Sequence, residues 1–301
     1  MSDISNRLTR LLSPNVLAMN AYRVADSSGM LKLDAMENPY TWDEAMTEDW
    51  LATLKSAQIN RYPDPSAQGI KHRLLEKYSI RDGVDVMFGN GSDELIQLLI
   101  MAVMSSNKAV IAPSPSFVMY KVIADYLDVP FIDVPLHDDF SLDVESMVTC
   151  IHKEQPALIF LATPNNPTGT IYSDSDLTRI IEASDGLVVL DEAYTAFTDS
   201  DQLHWLSRYP HVLVMRTFSK VGLAGLRLGF MLGDEQCLHE LDKLRLPYNI
   251  NTLTQLSVEF ALDNFSVLDE QAAQLVAQRA FLFEQLNQFD AFSCFESDAN
   301  F

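Results

Sequence analysis

The residues best suited to chemistry stand at four places in the 301-residue chain, each just after a short apolar run. The most pointed is Lys220, in Thr217-Phe218-Ser219-Lys220-Val221-Gly222-Leu223-Ala224-Gly225-Leu226-Arg227. A lysine set among Phe, Val, Leu and Gly, away from carboxylates, is poorly placed as a solvated charge. Partial burial would lower its pKa and make the amine nucleophilic, although a lone lysine of this kind is more often structural. Asp191-Glu192-Ala193-Tyr194 sets a carboxylate ahead of a phenol, groups that can hold a proton or that merely fill a strand-to-helix junction. In Thr163-Pro164-Asn165-Asn166-Pro167-Thr168-Gly169, two prolines and a glycine dictate a rigid turn that aims the Asn166 amide in one direction, or that simply ends a strand. Gly89-Asn90-Gly91-Ser92-Asp93-Glu94 is a glycine turn opening a helix, where free N–H groups and the helix dipole favour a phosphate; a simple cap explains it about as well.

These groups need a frame, and an alternating pattern between about residues 67 and 260 supplies one. Apolar runs at 84–88, 108–111, 131–134, 157–161, 187–190, 212–216 and 226–232 are predicted strands. Helices are predicted at 66–78, 92–104, 116–126, 173–183 and 237–244, several opened by a Ser or Asp that can act as a cap. Such alternation predicts an α/β fold with a mostly parallel sheet, whose ligands gather outside the carboxyl ends of the strands. All four signals fall at such ends, and that coincidence raises the standing of Lys220. A long helix after Asn251 is predicted to cross into another domain. The final stretch, FSCFESDANF, reads as a strand, a turn and the start of another strand, which predicts a chain incomplete at its C-terminus.

Composition narrows the function classes. With 48% apolar, 21% charged and 10% aromatic residues the chain is ordinary and globular, and its length suggests about two domains. No repeat or linker is visible, so a second domain would be interleaved. The longest apolar run, 95–104, is far short of the ~20 residues a membrane span needs, and no signal peptide is legible, which predicts a cytoplasmic protein. Cys150, Cys237 and Cys294 match neither metal-ligand nor redox spacing. Against 21 Lys and Arg stand 42 Asp and Glu, a net charge of −21 that repels nucleic acid and anionic membrane surfaces. No GxxxxGK[ST] loop follows the first predicted strand, which argues against a nucleotide-binding protein.

Taken together, these motifs resemble the fold-type I family of pyridoxal phosphate (PLP) enzymes, the class I/II aminotransferases, and within it the histidinol-phosphate aminotransferases. TPNNPTG, LDEAY and RTFSK with GLAGLRLG carry the resemblance, and GNGSDELI and RYPDP support it. It runs along essentially the whole chain from LDAMENP at 33–39, where Asp34 and Met36 depart from the commonest wording. The resemblance implies a PLP-binding large domain at 46–255 with a mostly parallel sheet. Before it lies an N-terminal segment at 1–45 that contributes to the small domain and the dimer, and after it an incomplete small α/β domain at 256–301. Lys220 would bond to PLP and move the substrate's α-proton, and Asp191 would pair with the pyridine nitrogen. Tyr194 and Asn166 would hydrogen-bond the ring's O3′, while Phe117 would stack on the ring. Phosphate would be held by the N–H groups of Ser92 and Asp93, the Ser219 hydroxyl and Arg227. Tyr62 is similar to the tyrosine that reaches the phosphate from a neighbouring subunit, which implies a homodimer, and Tyr22 and Asn166 match positions near the substrate.

The implied reaction exchanges the amino group of L-histidinol phosphate with 2-oxoglutarate, giving imidazole acetol phosphate and L-glutamate in histidine biosynthesis. Near alternatives are an aromatic aminotransferase and a threonine-phosphate decarboxylase. A more distant one is a non-catalytic protein that kept the PLP fold, against which the joint presence of Lys220, Asp191, Tyr194, Asn166 and Arg227 argues. Two departures stand out. Lys220 and Arg227 are seven positions apart where many family members have eight. The family's carboxylate-binding arginine follows an ANF-like segment, and here the sequence stops at Asn300-Phe301.

Overall fold

Apolar runs that point successive side chains to opposite faces form a single sheet among the residues described, 3–21, 23 and 26–301, in a computed structural model of the chain. Its strands are β1 (Val84–Asn90), β2 (Val110–Ser114), β3 (Phe131–Pro135), β4 (Leu158–Ala162), β5 (Leu187–Asp191), β6 (Val212–Thr217) and β7 (Leu228–Asp234), ordered β1-β7-β6-β5-β4-β2-β3. β7 runs antiparallel to both its neighbours, and the other strands run parallel to one another. The start of β7 therefore lies beside the ends of β1 and β6, with Leu228 opposite Asn90 and Gly229 opposite Thr217.

The strands are buried on both faces, as the alternation within them shows. Ile159, Leu161, Val188, Leu190, Val212 and Val214 enter one core layer, whereas Leu158, Phe160, Val189, Leu213 and Met215 enter the other. Helices cover both layers: α1 (Asp3–Leu11), α2 (Pro14–Ala18), α3 (Glu44–Leu54), α4 (Gln68–Lys77), α5 (Ser92–Val103), α6 (Met119–Tyr126), α7 (Val144–Glu154), α8 (Asp174–Ala183), α9 (Glu235–Asp242), α10 (Thr252–Asp263) and α11 (Phe265–Leu286). Most starts follow from a side-chain acceptor at the cap: Asp143 accepts from Ser146 N–H, Ser173 from Asp176 N–H, Asp234 from Cys237 N–H and Asn251 from Thr254 N–H.

Several expectations need correction. α7, not among the predicted helices, buries Val144, Met147 and Ile151 along one stripe. β7 begins at Leu228 instead of 226, because a turn over Ala224–Leu226 hands the chain to Arg227 in the left-handed region at φ 51°. The single helix predicted after Asn251 is two, broken at Asn264, whose backbone leaves helical geometry (φ −120°, ψ 29°) while its side-chain amide donates to the Phe260 carbonyl. The segment at 292–301 contains no strand. Its backbone pairs with no strand of the sheet, and it packs on loops that follow the strands, with Phe295 against Phe140 and Asp298 N–H donating to the Gly169 carbonyl.

Candidate active site

The carboxyl ends of the parallel strands open into one cleft, and nine of the predicted residues line it: Ser92, Asp93, Phe117, Asn166, Asp191, Tyr194, Ser219, Lys220 and Arg227. Each is delivered by a feature of its own strand end. α5 starts directly after β1 with Gly91 at φ 84°, and no side chain caps its first turn. The free amides of that turn and the dipole behind them face the cleft as a site for negative charge. A Cβ at Gly229 would come within 2.5 Å of the Ser92 amide nitrogen, so β7 and the start of α5 approach as closely as two backbones can. Arg227 reaches the same place, with Nη2 3.2 Å from Asp93 Oδ2 and Nη1 3.5 Å from the Ser219 hydroxyl.

The opposite end of the cleft is dry. Asp191, the last residue of β5, is buried. Its Oδ2 accepts a 2.6 Å hydrogen bond from the Tyr120 hydroxyl, and its Oδ1 accepts from the Ala193 N–H at 3.1 Å. Burial pushes its carboxyl up to about 6, against the pull of those two bonds and of Lys220. Tyr194, also buried, accepts a 2.9 Å hydrogen bond from the Asn166 amide, and burial raises its phenol above the ordinary range. The turn that aims Asn166 is locked by Asn165, fully buried, which donates to the Pro115 carbonyl and the Thr168 hydroxyl and accepts from Ser116.

Between these ends lies Lys220. It sits in an irregular helical turn over Ser219–Leu223 that Gly222 makes possible by adopting φ 137°. Its ammonium donates to the Ala35 carbonyl at 2.8 Å and lies 5.6 Å from the centre of the Tyr194 ring. Burial lowers its pKa, opposed by Glu37 and Asp93. Asn38 ties the 35–38 segment over this turn by donating to the Val221 carbonyl and to Gln271 Oε1.

Tyr62 lies away from the cleft: it is 80% exposed and stacked on Tyr248 at 4.5 Å. Tyr22 lies outside the described residues. Two features escaped the sequence reading. Tyr120 is a fully buried tyrosine of α6, stacked on Phe160 at 4.4 Å and meeting Phe117 edge-on. The only local hint was its position one helical turn after Phe117. The other is a buried ion pair behind the cleft, in which Arg216 Nε meets Glu192 Oε2 at 2.7 Å and the guanidinium lies over the Tyr78 ring.

Comparison with known proteins agrees with this geometry. The family described as aminotransferase class I and II matches residues 28–301. A histidinol-phosphate aminotransferase 2 of Nitrosococcus oceani is 48% identical over 98% of this chain and 82% of its own length, and one of Cupriavidus pinatubonensis is 44% identical over the same shares. Among solved structures, the histidinol-phosphate aminotransferase of Sinorhizobium meliloti in complex with pyridoxal-5'-phosphate superimposes with a TM-score of 0.83 at 21% identity, covering 96% of this chain and 80% of that one. The fold is therefore that of fold-type I enzymes, and the chain belongs to the aminotransferase class I and II family.

Proposed function

We propose that this chain is a PLP-dependent transaminase that converts L-histidinol phosphate and 2-oxoglutarate to imidazole acetol phosphate and L-glutamate, in histidine biosynthesis. One observation carries the chemistry: a buried carboxylate, Asp191, and a half-buried amine, Lys220, share a cleft with an uncapped helix start and Arg227. Support for the substrate comes from the relatives at 44% and 48% identity, both named for it.

The residues fit PLP. An anionic phosphate suits the α5 amides, the Ser219 hydroxyl and Arg227, and the methyl-free approach at Gly229 leaves those amides open to it. PLP, when bound, supplies an electron sink for charge developing at the substrate's α-carbon. Asp191, kept anionic, would hold a proton on the ring nitrogen. Phe117 would cover a ring face, and Tyr194 and Asn166, held 2.9 Å apart, would each donate to the ring oxygen. Lys220 would carry the cofactor and act as the base that moves the substrate's α-proton. Its lowered pKa enlarges the neutral, proton-accepting fraction of the amine.

The same reading takes the enzyme to be a cytoplasmic homodimer, in which the exposed Tyr62 reaches the cleft of a second copy. Its domains are a large PLP-binding unit at 46–255, with the segments 1–45 and 256–301 belonging to a small domain. The test is the absorption spectrum of the purified chain with PLP, followed by L-histidinol phosphate in the absence of any oxo acid. The long-wavelength band of lysine-bound PLP should form and then disappear with the donor. A band that ignores L-histidinol phosphate but responds to phenylalanine or threonine phosphate overturns the substrate, and absence of the band overturns the site.

A further inference from the structure

The most unusual polar contact outside the predicted set is the one between Tyr120 and Asp191. Both groups are buried, the bond is 2.6 Å long, and it joins α6 to the end of β5 across 71 positions of sequence. The Tyr120 ring has no freedom to choose another partner: Phe160 stacks on one face at 4.4 Å and 5°, and Phe117 meets it edge-on at 5.5 Å and 84°. Cleft and core thus share one aromatic stack, and its single hydroxyl points at the carboxylate.

We propose that Tyr120 is a positioning residue of the reaction, acting through Asp191: its hydroxyl keeps the carboxylate ionised and in one rotamer, ready for a protonated ring nitrogen. The inference rests on the reading of Asp191 as the ring-nitrogen partner. Its physical basis is that a buried carboxylate in an apolar setting takes up a proton unless donors hold its charge. Asp191 has two such donors, the Tyr120 hydroxyl and the Ala193 N–H, of which only the hydroxyl belongs to a side chain. The remaining ionisable groups that act on the pair come from other elements. Asp93 on α5 opposes the charge, Lys220 favours it, and the phenols of Tyr172 and Tyr194 are neutral throughout the working range because burial raises both. Tyr120 itself is held well above the ordinary phenol range, so it stays a donor at every pH at which the enzyme works.

Tyr120→Phe deletes the hydroxyl and keeps the stacked ring. The carboxylate of Asp191 is followed in the PLP-free chain by infrared titration, and PLP affinity is measured across pH by fluorescence quenching. The midpoint for Asp191 ionisation should rise by about one pH unit, from about 6, so PLP should bind about twofold more weakly at pH 7 and approach a tenfold loss below about pH 5. With donor saturating, kcat should fall about tenfold with KM little changed. Site-specific replacement of Tyr120 by a more acidic fluorotyrosine retains a donor and should move the midpoint the other way. In an Asp191→Asn background, Tyr120→Phe should change PLP affinity no further. An unchanged midpoint in Tyr120→Phe overturns the inference, as does an equal loss of PLP affinity in both backgrounds. If Asp191→Asn itself leaves PLP affinity and its pH profile unchanged, the reading of Asp191 fails instead. Thermal melting of each variant separates loss of fold from loss of tuning.

Discussion

The two ends of the cleft are built on opposite principles. At the anion end, Arg227 and Asp93 leave 47% and 44% of their side chains in solvent, and several donors share one task. At the dry end, Asp191 is 4% exposed and Tyr120 is not exposed at all, and each hydrogen bond has no substitute. Water screens and replaces partners at the first end, and has far less access to the second. On the proposed function, redundancy would belong to cofactor retention and precision to the control of protons.

That contrast breaks if the dry residues prove dispensable, and the sharpest attempts come first. Lys220→Ala should lower transamination by at least about 10⁴-fold and eliminate the absorption of lysine-bound PLP while leaving the fold intact, as circular dichroism would check. Asp191→Asn should still bind PLP, more weakly than the wild type, yet slow turnover by about 10²–10³-fold in single-turnover kinetics with L-histidinol phosphate. Its effect on the stability of the PLP-free chain has the opposite sign. The folded protein holds the Asp191 proton more tightly than the unfolded chain does, so this contribution is full below about 4. It is lost as pH rises through about 6. Chemical denaturation of the PLP-free chain should show that decline in the wild type and not in Asp191→Asn. Glu192→Ala, which leaves the buried Arg216 guanidinium only the half-exposed Asp201 as a carboxylate partner at 3.2 Å, should destabilise the chain by up to about 3 kcal/mol in urea titrations. The smallest effects should come from the wet end, where Arg227→Ala weakens PLP binding by about tenfold and Ser219→Ala by about two- to threefold. A loss at Arg227 as large as that at Asp191 would erase the distinction between the two ends.

Much of this was legible before the structure. Parallel strands end on one side of a sheet, so four motifs each following an apolar run had to converge, and they do: Asp191, Asn166, Lys220 and the start of α5 share the cleft. The strands themselves were readable because burial on both faces demands continuous apolar runs. What local sequence could not give was contact across layers. Nothing in Met119-Tyr120-Lys121 says that the phenol meets a carboxylate 71 positions away, and nothing in the 33–39 segment says that the Ala35 carbonyl faces the Lys220 amine. The ending misled for a related reason. The β-favouring Phe residues at 292 and 295 suggest a strand locally, but a strand exists only where a neighbour shares its hydrogen bonds.

The close approach at Gly229 gives the site a different kind of constraint. Most of its functions reside in atoms that are present, such as an amine, a carboxylate or a guanidinium, and chemistry of the same class can be imported from elsewhere in a protein when one of these is lost. At Gly229 what matters is an atom that is missing, because the Ser92 amide nitrogen occupies the space where a side chain would begin. No distant substitution can supply an absence. A side chain at Gly229 would have to push β7 and the start of α5 apart, so this position limits how the two backbones meet whatever polar groups surround them.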